Sequence, residues 1–161
     1  MRWTALLAAA MLSAGVALAG NDRPGGQVVV LTAQEAAEGF VSLFDGVSLQ
    51  GWQGAVDAYT VEDGVLVCPG KKGIGTLITN REYSDFIVRL EYKLEPGGNN
   101  GVGIRCPLGG HASRDGMEIQ ILDDSSPRYA KLDDVQFNGS IYGVVAAQRG
   151  HDKPPGQWNA L

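Results

Sequence analysis

The chain has little of what nucleic-acid binding requires. Thirteen Lys and Arg residues stand against eighteen Asp and Glu, the formal net charge is -5, and no basic cluster or stripe occurs. A phosphate backbone needs such a stripe, so nucleic acid is excluded as a partner and a neutral, hydroxyl-rich one fits better. Aromatic residues make up only 7% of the 161 positions, whereas glycine occurs 23 times. That composition leaves room for one domain with a modest core. Cysteine is scarce as well: Cys68 and Cys106 are the two present, and no His stands at zinc-type spacing from either. Each closes an apolar, strand-like run, so a disulfide and two small buried hydrophobes are both open readings.

Long hydrophobic runs are also lacking. The one apolar stretch, Thr4 to Leu18, falls short of the roughly 20 residues that span a bilayer. With Met1-Arg2 before it and the small-x-small pattern Ala17-Leu18-Ala19 at its end, it reads as an export leader cut after Ala19. The expectation is a secreted or periplasmic protein with no membrane anchor after cleavage. Residues 20–38 are then a flexible lead-in. Within it, Thr32 to Gly39 reads as a short helix with Thr32 as N-cap and Glu35 three residues on. A domain is expected over 39–161.

What is there from Gly39 onward is period-2 alternation. Asp63-Gly64 joins Tyr59-Thr60-Val61-Glu62 to Val65-Leu66-Val67-Cys68, a strong hairpin signal. Thr76 to Thr79 reads as a short strand. In Phe86 to Leu94, the residues Phe86, Val88, Leu90, Tyr92 and Leu94 share one face, with Arg89, Glu91 and Lys93 on the other. Pro96 to Gly101 reads as a turn, Val102 to Cys106 as the next strand, and a Gly/His loop leads to a strand through Glu118. No sustained helical period follows residue 39, and no helix is expected over 86–122. The fold class is all-β, a β-sandwich whose core includes Phe86, Val88, Leu90, Val102, Ile104, Ile119 and Ile121.

The stretch Gly116 to Asp124, G-M-E-I-Q-I-L-D-D, carries the most functional information. As a strand it sends Ile119 and Ile121 to one face and Glu118 and Gln120 to the other. A carboxylate and a carboxamide so placed can grip a polyhydroxylated ligand or a metal, can act as base and orienter, or can simply face water.

Seven motifs occur in order: L-F-D-G-x-S-L-x-G-W (Leu43 to Trp52), the D-G-V-L hairpin, S-D-F-I-V-R-L-E-Y-K-L, G-N-N-G-V-G-I-R (Gly98 to Arg105), E-I-Q-I-L-D-D, G-S-I-Y-G (Gly139 to Gly143) and K-P-P-G-Q-W-N (Lys153 to Asn159). Together they resemble the 3-keto-disaccharide hydrolase domain family, long known only as a domain of unknown function, over Gly39 to Leu161. The resemblance implies a concanavalin A-like, glucanase-like jelly-roll sandwich and cleavage of 3-keto-glycosides. In that family further strands follow the W-N motif, so an incomplete sandwich is expected here.

On this reading Glu118 is the candidate base, with Asp123 as a second carboxylate, Arg105 at the developing oxyanion and His111 reaching over from its loop. Gln120, Asp124, Tyr142, Trp158 and Asn159 are candidate sugar contacts, Trp52 belongs to the core, and His151 carries less weight. One divalent metal ion held by Glu118 and His111 stays open. No Ser sits in a nucleophile-elbow context, which argues against a Ser-His-Asp triad. A non-catalytic carbohydrate-binding or surface module, and an inactive remnant, are the competing readings.

Overall fold

A computed structural model describes residues 3–10, 31–68 and 75–161. The expected cleavage site and the stretch Asn21 to Gln27 lie outside the described residues. Among the described residues ten strands, β1 (Trp3–Ala10), β2 (Phe40–Ser42), β3 (Trp52–Gly54), β4 (Thr60–Glu62), β5 (Val65–Cys68), β6 (Leu77–Thr79), β7 (Ile87–Lys93), β8 (Asn99–Ile104), β9 (Met117–Leu122) and β10 (Trp158–Ala160), form an all-β sandwich. Two short helices, α1 (Ala33–Ala37) and α2 (Ala112–Asp115), flank them.

The larger sheet runs β10-β7-β1-β5-β4, and β2 also pairs with β1. The backbone of β1, from the expected leader, lies antiparallel between β5 and β7, with Ala5 opposite Leu66 on one side and Tyr92 on the other. The expected hairpin is present. Asp63 and Gly64 both adopt positive φ, 51° and 77°, and Glu62 pairs with Val65 across the turn. This is the twist that a two-residue turn needs to keep right-handed strands together.

A second layer is built on β9. It pairs with β8 on one side, with Gly103 opposite Glu118 and Gly101 opposite Gln120. On its other side Gln120 N donates to Ser140 O and Tyr142 N donates to Glu118 O, so the segment from Gly139 to Tyr142 follows β9. The core lies between the layers. Cys68, Leu90, Tyr92 and Leu94 pack against Ile121, with Tyr59, Val88 and Val102 around them. Alternation in β7 thus buries the face read from sequence, while Phe86, Ile104 and Ile119 are only partly covered.

Several boundaries differ from expectation. Asn99 to Gly101 belong to β8 rather than the turn, because they continue the β9 ladder opposite Leu122, Ile121 and Gln120. The strand ends at Ile104, since Arg105 turns to a φ of 53°, which leaves Cys106 outside it. The expected loop before β9 contains the single turn α2, so the expectation of no helix over 86–122 is corrected: Arg114 N and Asp115 N both bond to His111 O. At the other end of the domain, α1 has the full capping box of Thr32 and Glu35. It is also tied to the sheet, with Arg89 lying 3.9 Å from Glu35 and stacking over Phe40. Cys68 is buried and Cys106 half-buried, and both thiols are free.

Candidate functional site

Strand alternation places Asn99, Gly101, Gly103, Glu118, Gln120 and Leu122 on the β8–β9 face away from Val102 and Ile121. Two glycines make this face unusual. A Cβ at Gly101 would sit 2.7 Å from Glu118 Cδ and collide with its Oε1, so the absent side chain is the space that the carboxyl occupies. A Cβ at Gly103 would sit 2.7 Å from that of Ala112, so the second glycine lets α2 lie flat on the strand. Glycine serves here for close approach rather than for backbone freedom.

The seating of α2 carries His111 and Ser113 to Glu118. His111 Nδ1 and Ser113 Oγ are 3.0 Å apart. His111 N–H donates to Asp115 Oδ2 at 2.7 Å, which fixes the turn. Burial pushes the Glu118 carboxyl above its ordinary range, with His111 and Ser113 pulling it partly back. Ser113 was not anticipated from sequence. Its signal was the spacing His111-x-Ser113 in one loop, which becomes informative only once that loop coils into a turn.

Glu118, His111 and Arg105 all border one cavity of about 960 Å3 beside β8, together with Arg81, Tyr83 and Arg128. Arg105 does not point at Glu118. Its guanidinium donates to Ser84 O at 3.0 Å and lies 5.8 Å from the Phe86 ring, holding the 84–86 segment as the far wall.

The other expected site residues lie elsewhere. Asp123 is buried and accepts from Gly97 N at 2.7 Å and from the Ser125 amide and hydroxyl. Burial raises its pKa, but those donors outweigh it and the net shift is downward. It fastens the turn between β7 and β8 to the end of β9. Gln120, nearly inaccessible at 3% exposure, donates to Asn99 Oδ1 at 3.4 Å and does not border the cavity. Asp124 accepts from Asn138 N at 3.0 Å and faces Arg149 at 3.7 Å, within a network that includes Tyr92 and Asp152. Burial raises its pKa.

The expected sugar contacts Tyr142, Trp158 and Asn159 are placed away from the cavity. Tyr142 accepts from Gln136 Nε2 at 2.8 Å, and the Trp158 ring packs under Lys93 on β10. Asn159 closes a turn by accepting from Lys153 N at 2.7 Å. None of the three borders the cavity, because β10 adds to the far side of β7 and residue 142 follows the opposite edge of β9. Aromatic faces at the cavity come instead from Tyr83 and Phe86. Trp52 is buried as expected, its Nε1 donating to Leu43 O at 2.8 Å.

Among the described residues no group of three or more His, Cys, Asp or Glu side chains converges as a metal site requires. Glu118 and His111 provide two donors, one short of the three protein ligands of a catalytic zinc site. Among the same residues no helix is long and apolar enough to cross a membrane.

Known proteins resemble this chain over most of its length. A curated 3-keto-disaccharide hydrolase from Bacteroides thetaiotaomicron is 28% identical over 148 residues, which cover 76% of this chain and 51% of that protein. The chain thus spans about half the length of that relative. A crystal structure of a provisionally assigned glycosyl hydrolase from Parabacteroides distasonis superposes with a TM-score of 0.68 at 32% identity, covering 81% of this chain and 65% of that one. A second from the same organism gives 0.60 at 27% identity, covering 70% and 56%. Residues 39–161 match the model of the 3-keto-alpha-glucoside-1,2-lyase-like domain, and the chain belongs to that family.

Proposed function

We propose that this protein cleaves the glycosidic bond of 3-keto-disaccharides or related 3-keto-glycosides, with Glu118 as the base that takes the C2 proton. The observation that supports the reading is the Glu118 carboxyl itself: half-buried, raised in pKa, seated over Gly101 and bordering the one cavity shared by His111 and Arg105. A base tuned upward toward the working pH is the more effective one.

The C3 carbonyl makes the C2 proton acidic. Transfer of that proton to Glu118 leaves an enolate, the C1–O bond breaks, and the departing oxygen takes up a proton as a C1=C2 double bond forms. Water then adds across the double bond, its hydroxyl to C1 and its proton to C2, so the net reaction is hydrolysis. The negative charge that develops on the C3 oxygen calls for donors. Arg105 uses an N–H on Ser84 and has others to present, and Arg81 and Arg128 border the same space. This differs from ordinary glycosidases, in which two carboxyls flank C1. A cavity of this size accommodates a disaccharide.

That Glu118, His111 and Arg105 border one cavity favours an enzyme over an open binding groove. The apolar leader expected from the sequence makes the periplasm or exterior the place of action. Glu118→Gln tests the proposal. Turnover of a 3-keto-disaccharide is expected to fall by about 10²-fold or more, with little change in binding. Wild-type protein is expected to leave the unoxidised disaccharide intact, because its C2 proton is far too weakly acidic for a carboxylate. Equal activity of the Gln variant, or equal cleavage of the unoxidised sugar, removes Glu118 from that role.

A further inference from the structure

The elimination described above leaves one proton without a source. Glu118 arrives as a carboxylate to take the C2 hydrogen, so it has none of its own to give when the C1–O bond breaks. A sugar alkoxide leaves poorly, and an acid positioned at the departing oxygen removes that difficulty. The donor must stand close to Glu118, because the departing oxygen is held by C1, the neighbour of C2.

We infer that His111 is this donor: with Glu118 read as the base, His111 is the general acid that protonates the departing glycosidic oxygen through Nε2. The backbone places it there. Gly103 pairs with Glu118 across the β8–β9 ladder, and a Cβ at Gly103 would lie 2.7 Å from that of Ala112, so α2 is seated on the residue opposite Glu118. His111 immediately precedes Ala112 and borders the same cavity as Glu118. Its main chain is fixed at both ends: its N–H donates to Asp115 Oδ2 at 2.7 Å, and its carbonyl accepts from the Arg114 and Asp115 amides. Although His111 stands at the N-cap of α2, its imidazole makes no capping bond.

The two ring nitrogens are divided between two tasks. Nδ1 lies 3.0 Å from Ser113 Oγ, whereas Nε2 has no hydrogen-bond partner among the described residues. In the charged ring both nitrogens carry hydrogen, so Ser113 Oγ accepts from Nδ1 and the Nε2 hydrogen is the one left to give. Transfer leaves a neutral ring that keeps its Nδ1 hydrogen on Ser113 and has a bare Nε2. As water adds, Nε2 takes one of its protons while the hydroxyl joins C1. Glu118, whose acquired proton exchanges with solvent, returns one to C2, and both side chains regain their starting states.

Other proton donors at the cavity are engaged elsewhere. Tyr59 OH donates to Gly75 O at 3.3 Å, Tyr129 OH to Gly97 O at 2.9 Å, and Cys106 Sγ to Pro107 O at 3.5 Å. An arginine does not give up its proton. Glu82 and Tyr83 directly precede the 84–86 segment that forms the far wall.

The test varies the leaving group. Wild type, His111→Ala and His111→Gln are compared on a 3-keto-disaccharide, whose departing alcohol needs a proton, and on 4-nitrophenyl 3-keto-glucoside, whose nitrophenolate leaves without one. On the disaccharide both variants are expected to lose about 10²-fold or more in kcat. On the nitrophenyl glycoside they are expected to keep most of the wild-type rate, a contrast that a merely structural role for the ring would not produce. Equal losses on the two substrates, or no loss on the disaccharide, would overturn the inference. So would a Tyr83→Phe variant that shows the contrast in place of the His111 variants. Failure of the base reading looks different: Glu118→Gln would keep its rate on both substrates, while the leaving-group contrast of the His111 variants would still decide the proton donor.

Discussion

Gly101→Ala separates the position of the base from its identity. Gly101 lies in β8 with no positive φ, so alanine fits the backbone there. Its Cβ, however, would sit 2.5 Å from Glu118 Cγ and 2.7 Å from Cδ, and closer still to Oε1. Real contacts of this kind do not occur, so the carboxyl must swing away. Two stability effects oppose each other. Replacing a glycine inside a strand gains about 0.5–1 kcal/mol, and forcing Glu118 off its rotamer costs about 0.5–1.5 kcal/mol. They nearly cancel, and the melting temperature is expected to stay within a few degrees of wild type. Activity does not cancel. A reacting group misplaced by about 1 Å loses on the order of 10²-fold in rate, so kcat on a 3-keto-disaccharide is expected to fall by that factor. Thermal unfolding and steady-state kinetics on the same preparation make the measurement. A folded Gly101→Ala protein with wild-type kcat would refute the claim that the carboxyl works from over Gly101.

Because burial raises the Glu118 pKa and the base acts deprotonated, activity should fall on acidification at a pH above the ordinary glutamate range, about 4.3; a kcat/KM profile flat down to that range would contradict this. Asn138→Ala should cost about 3 kcal/mol in chemical denaturation, since it strips partners from Tyr92 OH, Asp152 and the buried Leu122 N–H; a loss under 1 kcal/mol would show that the network adds little. Trp158→Ala should leave KM unchanged, because the ring sits under Lys93 and not at the cavity; a severalfold rise in KM would return Trp158 to the sugar site.

Local patterns carried the fold because their physics is local. The Asp63-Gly64 turn, the capping box of Thr32 and Glu35, and the alternation of β7 each depend on neighbours a few residues away. The candidate base Glu118 was legible for the same reason, as a charged residue at an alternating position. The rest of the candidate site was not, because it depends on how layers meet. Asp123 and Asn159 look like ligands for a sugar by residue type, but both are used up by backbone amides that only the folded turns bring near. Tyr142 and Trp158 look like stacking platforms, and strand order puts them away from the cavity. The cavity aromatics Tyr83 and Phe86 follow from the seating of the 84–86 segment, which no pairwise spacing announces.

The most direct test of the account is exchange at C2. The full chain is incubated with a 3-keto-disaccharide in D2O, and the C2 position of substrate and product is followed by NMR. If Glu118 takes that proton, deuterium enters C2 of the keto-sugar product in wild type, and both incorporation and cleavage collapse together in Glu118→Gln. Cleavage that leaves the original hydrogen at C2 would contradict the account, for the bond would then break without the proton transfer on which every role assigned to this site depends.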